Sequence, residues 1–263
     1  MRTIDIHSHL AWGIDDGLDS KSNAVEAIQQ AKRDGVERII ATPHFIPGRQ
    51  SEKETTEMNQ RIDELKQLAE TAGIQVYRGC EIFLNDQYLE MLDAENFNTL
   101  AGSGYVLCEF DVRKNIDEND QAEDMLYEFS VRDMIPVIAH AERYFHRDLD
   151  VNRVKEWCDL GYVIQINRTS LLGLHGSQIK KNAWKLLKLG YAHIIASDAH
   201  QVNGHRICKL SDVYELVRDE LGEDNAQILF YRNPLHIIEN EEIEELEVVR
   251  KKPSLFNRMK RRR

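Results

Sequence analysis

Thr3-Ile4-Asp5-Ile6-His7-Ser8-His9 sets two imidazoles at i and i+2 at the end of a short apolar strand. Residues two apart on a strand point to the same side, so both rings can reach one ion. Asp15-Asp16-Gly17 then turns the chain and returns two carboxylates to the same neighbourhood. A strand ending in His-x-His opens a metal site. Taken alone, the same residues also read as a solvated N-terminal strand with incidental histidines, so the remainder of the chain has to decide.

Six further apolar runs follow, separated by amphipathic helices. Ser20 to Asp34 carries an Ala24, Ala27, Ile28, Ala31 stripe with Ser20 or Asp19 as its cap, and Gly35 ends it. Strands are expected at 38–42, 74–79, 105–108, 136–139, 162–166 and 192–196. Helices are expected at 52–71, 86–93, 118–132, 151–160 and 178–189, with two or three more between 210 and 239. Strands alternating with helices imply a parallel sheet with right-handed crossovers. Seven strands are one short of the usual closed barrel, so the expected fold is α/β, a distorted (β/α)7 barrel, with an open doubly wound sheet as the alternative. Residues 1–249 read as one domain and 250–263 as a basic C-terminal tail.

The decisive pattern is where the metal-capable residues fall. His7 and His9, His44, Glu81, Glu109, His140, and Asp198 with His200 each close a different apolar strand. Parallel strands end on one side of a domain, and that side hosts the site. With Asp16, nine candidates converge, too many for one ion. Two or three divalent ions sharing a carboxylate are implied, and Glu81, on a central strand, is the expected bridge. Imidazole with carboxylate suits Mn, Fe or Zn. Clustered metals lower the pKa of a bound water and clamp the oxygens of phosphoryl transfer.

Composition narrows the class. The net charge of −11 is uneven: Arg250 to Arg263 holds eight bases and no acid, which leaves 26 bases against 45 acids and −19 on residues 1–249. A body that acidic repels nucleic acid. No apolar run approaches the roughly 20 residues of a membrane span, and the N-terminus lacks a signal-peptide core, so a cytoplasmic location is expected. Cys80, Cys108, Cys158 and Cys208 form no CxxC pair and read as core thiols. None has an arginine six positions on, which argues against a cysteine-phosphate route.

His7-Ser8-His9, Ala41-Thr42-Pro43-His44, Glu81, Glu109, the run Pro136 to Arg143 and Ala196-Ser197-Asp198-Ala199-His200 together resemble the polymerase-and-histidinol-phosphatase (PHP) superfamily. The Asp15-Asp16-Gly17 turn, Ile138-Ala139-His140-Ala141-Glu142-Arg143-Tyr144 and Ser197-Asp198-Ala199-His200 look more narrowly like bacterial PHP-type protein-tyrosine phosphatases of capsule and exopolysaccharide clusters. The resemblance covers about residues 3–240. It implies a seven-stranded distorted barrel and a metal-dependent phosphotyrosine phosphatase. Manganese is the commonest metal, with Fe, Zn or Co as alternatives. The implied substrate and partner is an autophosphorylated bacterial tyrosine kinase that controls polysaccharide export. By position, His7, His9, Asp16, His44, Glu81, Glu109, His140, Asp198 and His200 match the metal ligands. Arg143 matches a phosphate-binding arginine. A second arginine is expected just past Asn203-Gly204, where His205 and then Arg206 stand. Arg143, Arg206 and Asp198 are thus the expected catalytic set, with hydroxide bridging the metals as the attacking group.

A small phosphomonoesterase of the histidinol-phosphatase type is the rival on the same scaffold, and a metal-binding kinase-partner module is the non-enzyme rival. His193, His236, His146 and His175 read as structural or solvated. Trp12 and Phe45 read either as walls for a phenyl ring or as core, and Asn167 as a polar group of the site. The tail interleaves Leu255, Phe256 and Met259 with its bases, which fits weak peripheral membrane contact and equally a solvated tail or a contact within a homo-oligomer.

Overall fold

A computed structural model describes residues 1–247; the tail at 250–263 lies outside the described residues. Strand β1 (Thr3–Ser8) is buried along its whole length. Helix α1 (Lys21–Asp34) is capped by Ser20, whose side chain accepts from Asn23 N, and ends at Gly35 in the left-handed region. Strands β2 (Val36–Ala41) and β3 (His44–Phe45) follow. Helix α2 (Glu52–Ala72) opens with a reciprocal Ser51–Glu54 capping box and buries Met58, Ile62, Leu65 and Ala69. Then come β4 (Gln75–Arg78), β5 (Glu81–Phe83), α3 (Tyr88–Ala94), β6 (Tyr105–Glu109), α4 (Ala122–Ser130), β7 (Ile135–Ile138), α5 (Val151–Asp159) and β8 (Val163–Asn167). Helices α6 (Arg168–Leu172) and α7 (Ser177–Leu189), strand β9 (Ile194–Ala196), and α8 (Ser211–Leu221), α9 (Glu223–Gln227) and α10 (Asn233–Glu239) complete the order.

Nine strand segments therefore stand where seven strands are expected. The second and third expected strands are each interrupted. Thr42-Pro43 separates β2 from β3, and Gly79-Cys80 separates β4 from β5. Proline removes a ladder donor at the first break. Backbone bonds still cross both breaks, Gly79 N to Ala41 O (3.0 Å) and Glu81 N to Pro43 O (3.1 Å). A Cβ on Gly79 would come within 2.8 Å of Ile40 Cγ2, so this close approach requires glycine. The offset sets His44 directly opposite Glu81 in the next register.

All pairings are parallel, in the orders β1-β2-β4 and β3-β5-β6-β7-β8-β9. The sheet curls until β9 reaches β1, but they meet only at their C-terminal ends. There His9 N donates to Ala199 O (2.8 Å), Asp198 N donates to His7 O (2.9 Å), and Ser8 bridges Ala199. Apolar residues fall into two clusters. Ile4, Ile6, Ile40, Leu107, Val137, Val163 and Ile194 gather inside the curl, and a larger cluster fills the space between sheet and helices. Among the described residues no helix is long and apolar enough to cross a membrane.

His193 proves structural. Its Nδ1 accepts from Ile164 N (2.9 Å), and burial pushes its pKa down to about 4. The unfolded chain, with a histidine near 6.5, takes up this proton first as pH falls, so stability present above 6.5 is lost on the way to 4. The gap corresponds to about 3 kcal/mol. In His193→Asn, which keeps an acceptor near Nδ1 but cannot titrate, urea unfolding between pH 7 and 4 should lose about that much less stability than wild type. Parallel pH profiles for the two proteins would refute the assignment.

Candidate metal centre

The strand ends deliver their side chains into one cup. His7 and His9 close β1, His44 opens β3, Glu81 opens β5, Glu109 ends β6, His140 follows β7, and Asp198 and His200 follow β9. Glu81 lies at the centre and is fully buried. Its Oε1 is 3.0 Å from His140 Nε2 and 3.3 Å from His7 Nε2, and its Oε2 is 3.0 Å from His44 Nδ1 and 3.2 Å from His9 Nε2. Asp198 Oδ1 sits 3.6 Å from both His7 Nε2 and His9 Nε2. Glu109 approaches His140 (3.5 Å) and His44 (3.6 Å). Asp16, the most exposed of the set, reaches His44 and His200 at 3.3 Å each and stands at the opening.

The supporting residues fix which nitrogen faces inward. Gln165 Oε1 accepts from His140 N (2.8 Å) while its Nε2 donates to Asn167 Oδ1 (2.8 Å), which sets the amide orientation. That same Oε1 takes the Nδ1 proton of His7 (3.1 Å) and leaves Nε2 for the cup. Asp15 Oδ2 accepts from His9 Nδ1 (2.6 Å) and from His44 N (3.0 Å), and its Oδ1 accepts from Gly17 N (3.0 Å). A Cβ on Gly17 would lie 2.2 Å from His9 O, so the Asp15-Asp16-Gly17 turn presses directly on that ligand strand. Carboxylate and amide partners of this kind orient metal-binding histidines. His140 (φ 32°) and Asp198 (φ 51°) both hold left-handed backbone conformations, a strain that persists where the surroundings over-determine it.

The electrostatics of the cup favour positive charge. Burial works against charge on His9, but Asp15 and Glu81 outweigh it and raise its pKa to about 9. Burial likewise opposes charge on His44, yet Glu81 and Asp16 lift it to about 12. Burial, and then the neighbouring Glu81, push Glu109 up to about 8. Glu81 itself is held low by His7 and His44 in spite of burial. The carboxylates thus demand cations, and protons on imidazoles supply them here. His7 Nε2 and His9 Nε2 face each other at 3.3 Å with both Nδ1 protons committed elsewhere. With the Nδ1 protons held by Gln165 and Asp15, it is Nε2 of each ring that faces the cup and can take up a cation, a proton or a metal ion. Ligand atoms gather within 4.8 Å in four groups: His7–Glu81–His140, His44–Glu81–Glu109, His7–His9–Asp198, and His9–Asp16–His44–His200. The donor set fits divalent cations that accept nitrogen and oxygen.

Two guanidiniums face the cup from its rim. Arg143 Nη1 is 3.8 Å from Asp198 Oδ2. It is not paired with Asp148, which binds Lys181, or with Glu142, whose Oε1 accepts from Asn167 N. Of the two residues considered for the second position, Arg206 reaches inward, donating to Asp198 Oδ1 (2.9 Å) and His200 Nε2 (3.0 Å). His205 is exposed, and Arg168 anchors its backbone carbonyl (2.8 Å). Asn167 Nδ2 donates to Asp198 Oδ2 (2.7 Å), so it belongs to the site.

Trp12 and Phe45 are buried, and Trp12 lies beneath the Arg61 guanidinium at 4.6 Å; both pack rather than present a face to the cup. Three positioning residues escape sequence reasoning. They are Asp15, Gln165, and Asp5, which accepts from Ser197 N (3.0 Å) and Ser197 Oγ (2.5 Å) and so ties β1 to the Asp198 loop. The aspartate pair at the turn was a visible signal for Asp15. Gln165 and Asp5, inside apolar runs, were visible only as polar interruptions.

Known proteins resemble this chain along nearly its whole length. The family model described as "Capsular polysaccharide synthesis, CpsB/CapC" matches residues 3–239. The tyrosine-protein phosphatase CpsB of Streptococcus pneumoniae is 30% identical over 242 residues, covering 89% of this chain and 98% of that protein. The tyrosine-protein phosphatase YwqE of Bacillus subtilis is 29% identical over 235 residues, 86% of this chain and 91% of that one. A solved structure from work on YwqE and CpsB, described as unique metal-dependent tyrosine phosphatases, superposes with a TM-score of 0.78 at 27% identity, over 92% of this chain and 96% of that one. A dihydropyrimidinase from Brevibacillus agri (TM-score 0.54, 12% identity, 93% of this chain and 72% of that one) shares the fold alone.

Proposed function

The chain belongs to the CpsB/CapC family of capsular polysaccharide synthesis, and from that premise we propose that it is a metal-dependent protein-tyrosine phosphatase. Its substrate is the phosphotyrosine of an autophosphorylated bacterial tyrosine kinase that governs polysaccharide production, met in the cytoplasm. The observation that carries the reading is the convergence of nine imidazole and carboxylate ligands beneath two arginines in one cup. The nine strand segments, counted as seven passes of which two are interrupted, suit a distorted barrel of the PHP type.

Two or three divalent ions, manganese first and iron, zinc or cobalt after it, would be held by His7, His9, Asp16, His44, Glu81, Glu109, His140, Asp198 and His200. Glu81, the one carboxylate common to two of the ligand groups, would be the residue they share. When bound, such ions acidify a water and offset charge on the phosphate oxygens. The chain supplies the rest. Arg143 and Arg206 grip the phosphate; a guanidinium suits a phosphate's paired oxygens. Asp15 and Gln165 keep His9 and His7 in the tautomers that present Nε2. Asn167 and Asp5 hold Asp198 in register. A cysteine nucleophile is unsuited to this chain: burial pushes the Cys80 thiol up to about 12 and those of Cys108 and Cys208 well above their ordinary range.

The test compares substrates with metal-reconstituted protein. Turnover of a phosphotyrosine peptide should exceed that of histidinol phosphate by at least about 100-fold in kcat/KM, some 3 kcal/mol of differential transition-state binding. The reverse order would favour the small phosphomonoesterase. Binding of phosphopeptide with no turnover under any metal would favour the kinase-partner module.

A further inference from the structure

A cavity of about 510 Å3 opens beside the centre, between the segment after β5 and the one after β6. Its size lies in the range of sites that hold ligands, roughly 300–1,000 Å3. The position follows from the strands. Phe83 pairs with Glu109 across β5 and β6, and Phe110 is the next residue. The Phe110 ring meets Tyr144 edge-on at 5.5 Å, and Tyr144 in turn lies 5.6 Å from the His140 ring. The floor of the cavity is therefore one aromatic ring away from a candidate ligand.

Floor and rim differ in chemistry. Phe83, Phe110 and Met125 line the bottom, while Asp86, Glu118 and Asp120 stand at the edge against a single cation, Lys114. Asp86, Glu118 and Asp120 are exposed and have no ion pair among the described residues; Asp111, also on the edge, is taken by Arg113. A polypeptide whose phosphotyrosine is seated on the metal centre would have this rim beside it, since Phe83 and Phe110 flank Glu109. We propose that the groove receives the residues beside the substrate's phosphotyrosine, an apolar side chain on the floor and a basic one against Asp86, Glu118 and Asp120, so that it sets sequence preference. The proposal rests on the phosphatase reading. Two observations carry it: Phe83 and Phe110 of the groove flank the candidate ligand Glu109, one opposite it and one next to it in the chain, and the charge of the rim complements a basic segment.

The experiment uses metal-reconstituted full-length protein and two phosphotyrosine peptides identical except for a Lys-Lys or a Glu-Glu pair beside the phosphotyrosine. Wild type should favour the Lys-Lys peptide by about 10-fold in kcat/KM, and the preference should shrink toward unity near 1 M salt, since exposed ion pairs are individually weak and screened. In the double variant Glu118→Lys/Asp120→Lys the order should invert. The ratio cancels any general damage to the site. A ratio near one in wild type, or one the double variant leaves unchanged, overturns the groove as a specificity element. p-Nitrophenyl phosphate, which has no flanking residues, separates the two ideas. Its turnover alongside a flat peptide ratio rejects the groove alone, and no turnover of any aryl phosphate rejects both.

Discussion

Asp198→Ala is expected to lower phosphotyrosine-peptide turnover by about 1,000-fold or more while leaving the far-ultraviolet circular dichroism close to wild type. Removing one well-placed electrostatic contact in a site costs roughly 100- to 1,000-fold, and Asp198 is more than one contact. Its carboxylate faces His7, His9 and His200 on one side and accepts from Arg206 and Asn167 on the other. Without it the ligand set loses an anion and Arg206 loses its anchor. The fold should survive, because the side chain belongs to the polar cup and to neither apolar cluster. Alanine at φ 51° adds about 1 kcal/mol of backbone strain. Asp198→Asn, which tolerates that backbone and keeps the shape, separates strain from charge, and it should be nearly as inactive. His44→Ala should behave alike, since that ring touches Asp16, Glu81 and Glu109 together. A variant of either residue with more than a tenth of wild-type turnover would contradict the assignment.

Chelation should bring turnover to background, and re-addition of manganese should restore it. The same treatment has a readout that needs no substrate. Ligands that bind only the folded state stabilise it by about 2.7 kcal/mol at a hundredfold excess over Kd. For a chain of this size that raises Tm by about 5–10 °C. Differential scanning calorimetry of the chelated and the manganese-loaded protein should show that gap. Glu81→Ala should nearly abolish it, because the shared carboxylate is lost from two ligand groups at once. Equal Tm values with and without metal would mean that the cup binds none tightly. Comparing Mn, Fe, Zn and Co in this assay also ranks the metals independently of catalysis.

The candidate ligands were legible for one physical reason: parallel strands all end on one side, so residues that close apolar runs share a rim. His44, Glu81, Glu109, His140 and Asp198 fall where that rule sets them. The strand breaks were not legible, since Thr42-Pro43 and Gly79-Cys80 read as ends of strands whose backbone bonds in fact continue across them. Helix α6 was missed because Asn167 looked like the last residue before a loop, whereas the chain coils at once and brings Arg168 to Asp212 and to the carbonyl of His205. Asp15 and Gln165 illustrate a general limit. A ligand is announced by its own chemistry, but the residue that orients it acts through a contact spanning six positions in one case and 158 in the other. Only tertiary packing reveals the second.

The tether between Asp5 and Ser197 has a consequence for biosynthesis. It joins residues 192 positions apart, and Arg206 lies later still. A ribosome that has released only the first six or seven helices has made most of the ligands and none of the closure. The unfinished product should be inactive, because Asp198, His200 and Arg206 all come after the last strand. Contacts of such long range also slow folding, so freshly made protein should gain activity later than it gains helical signal.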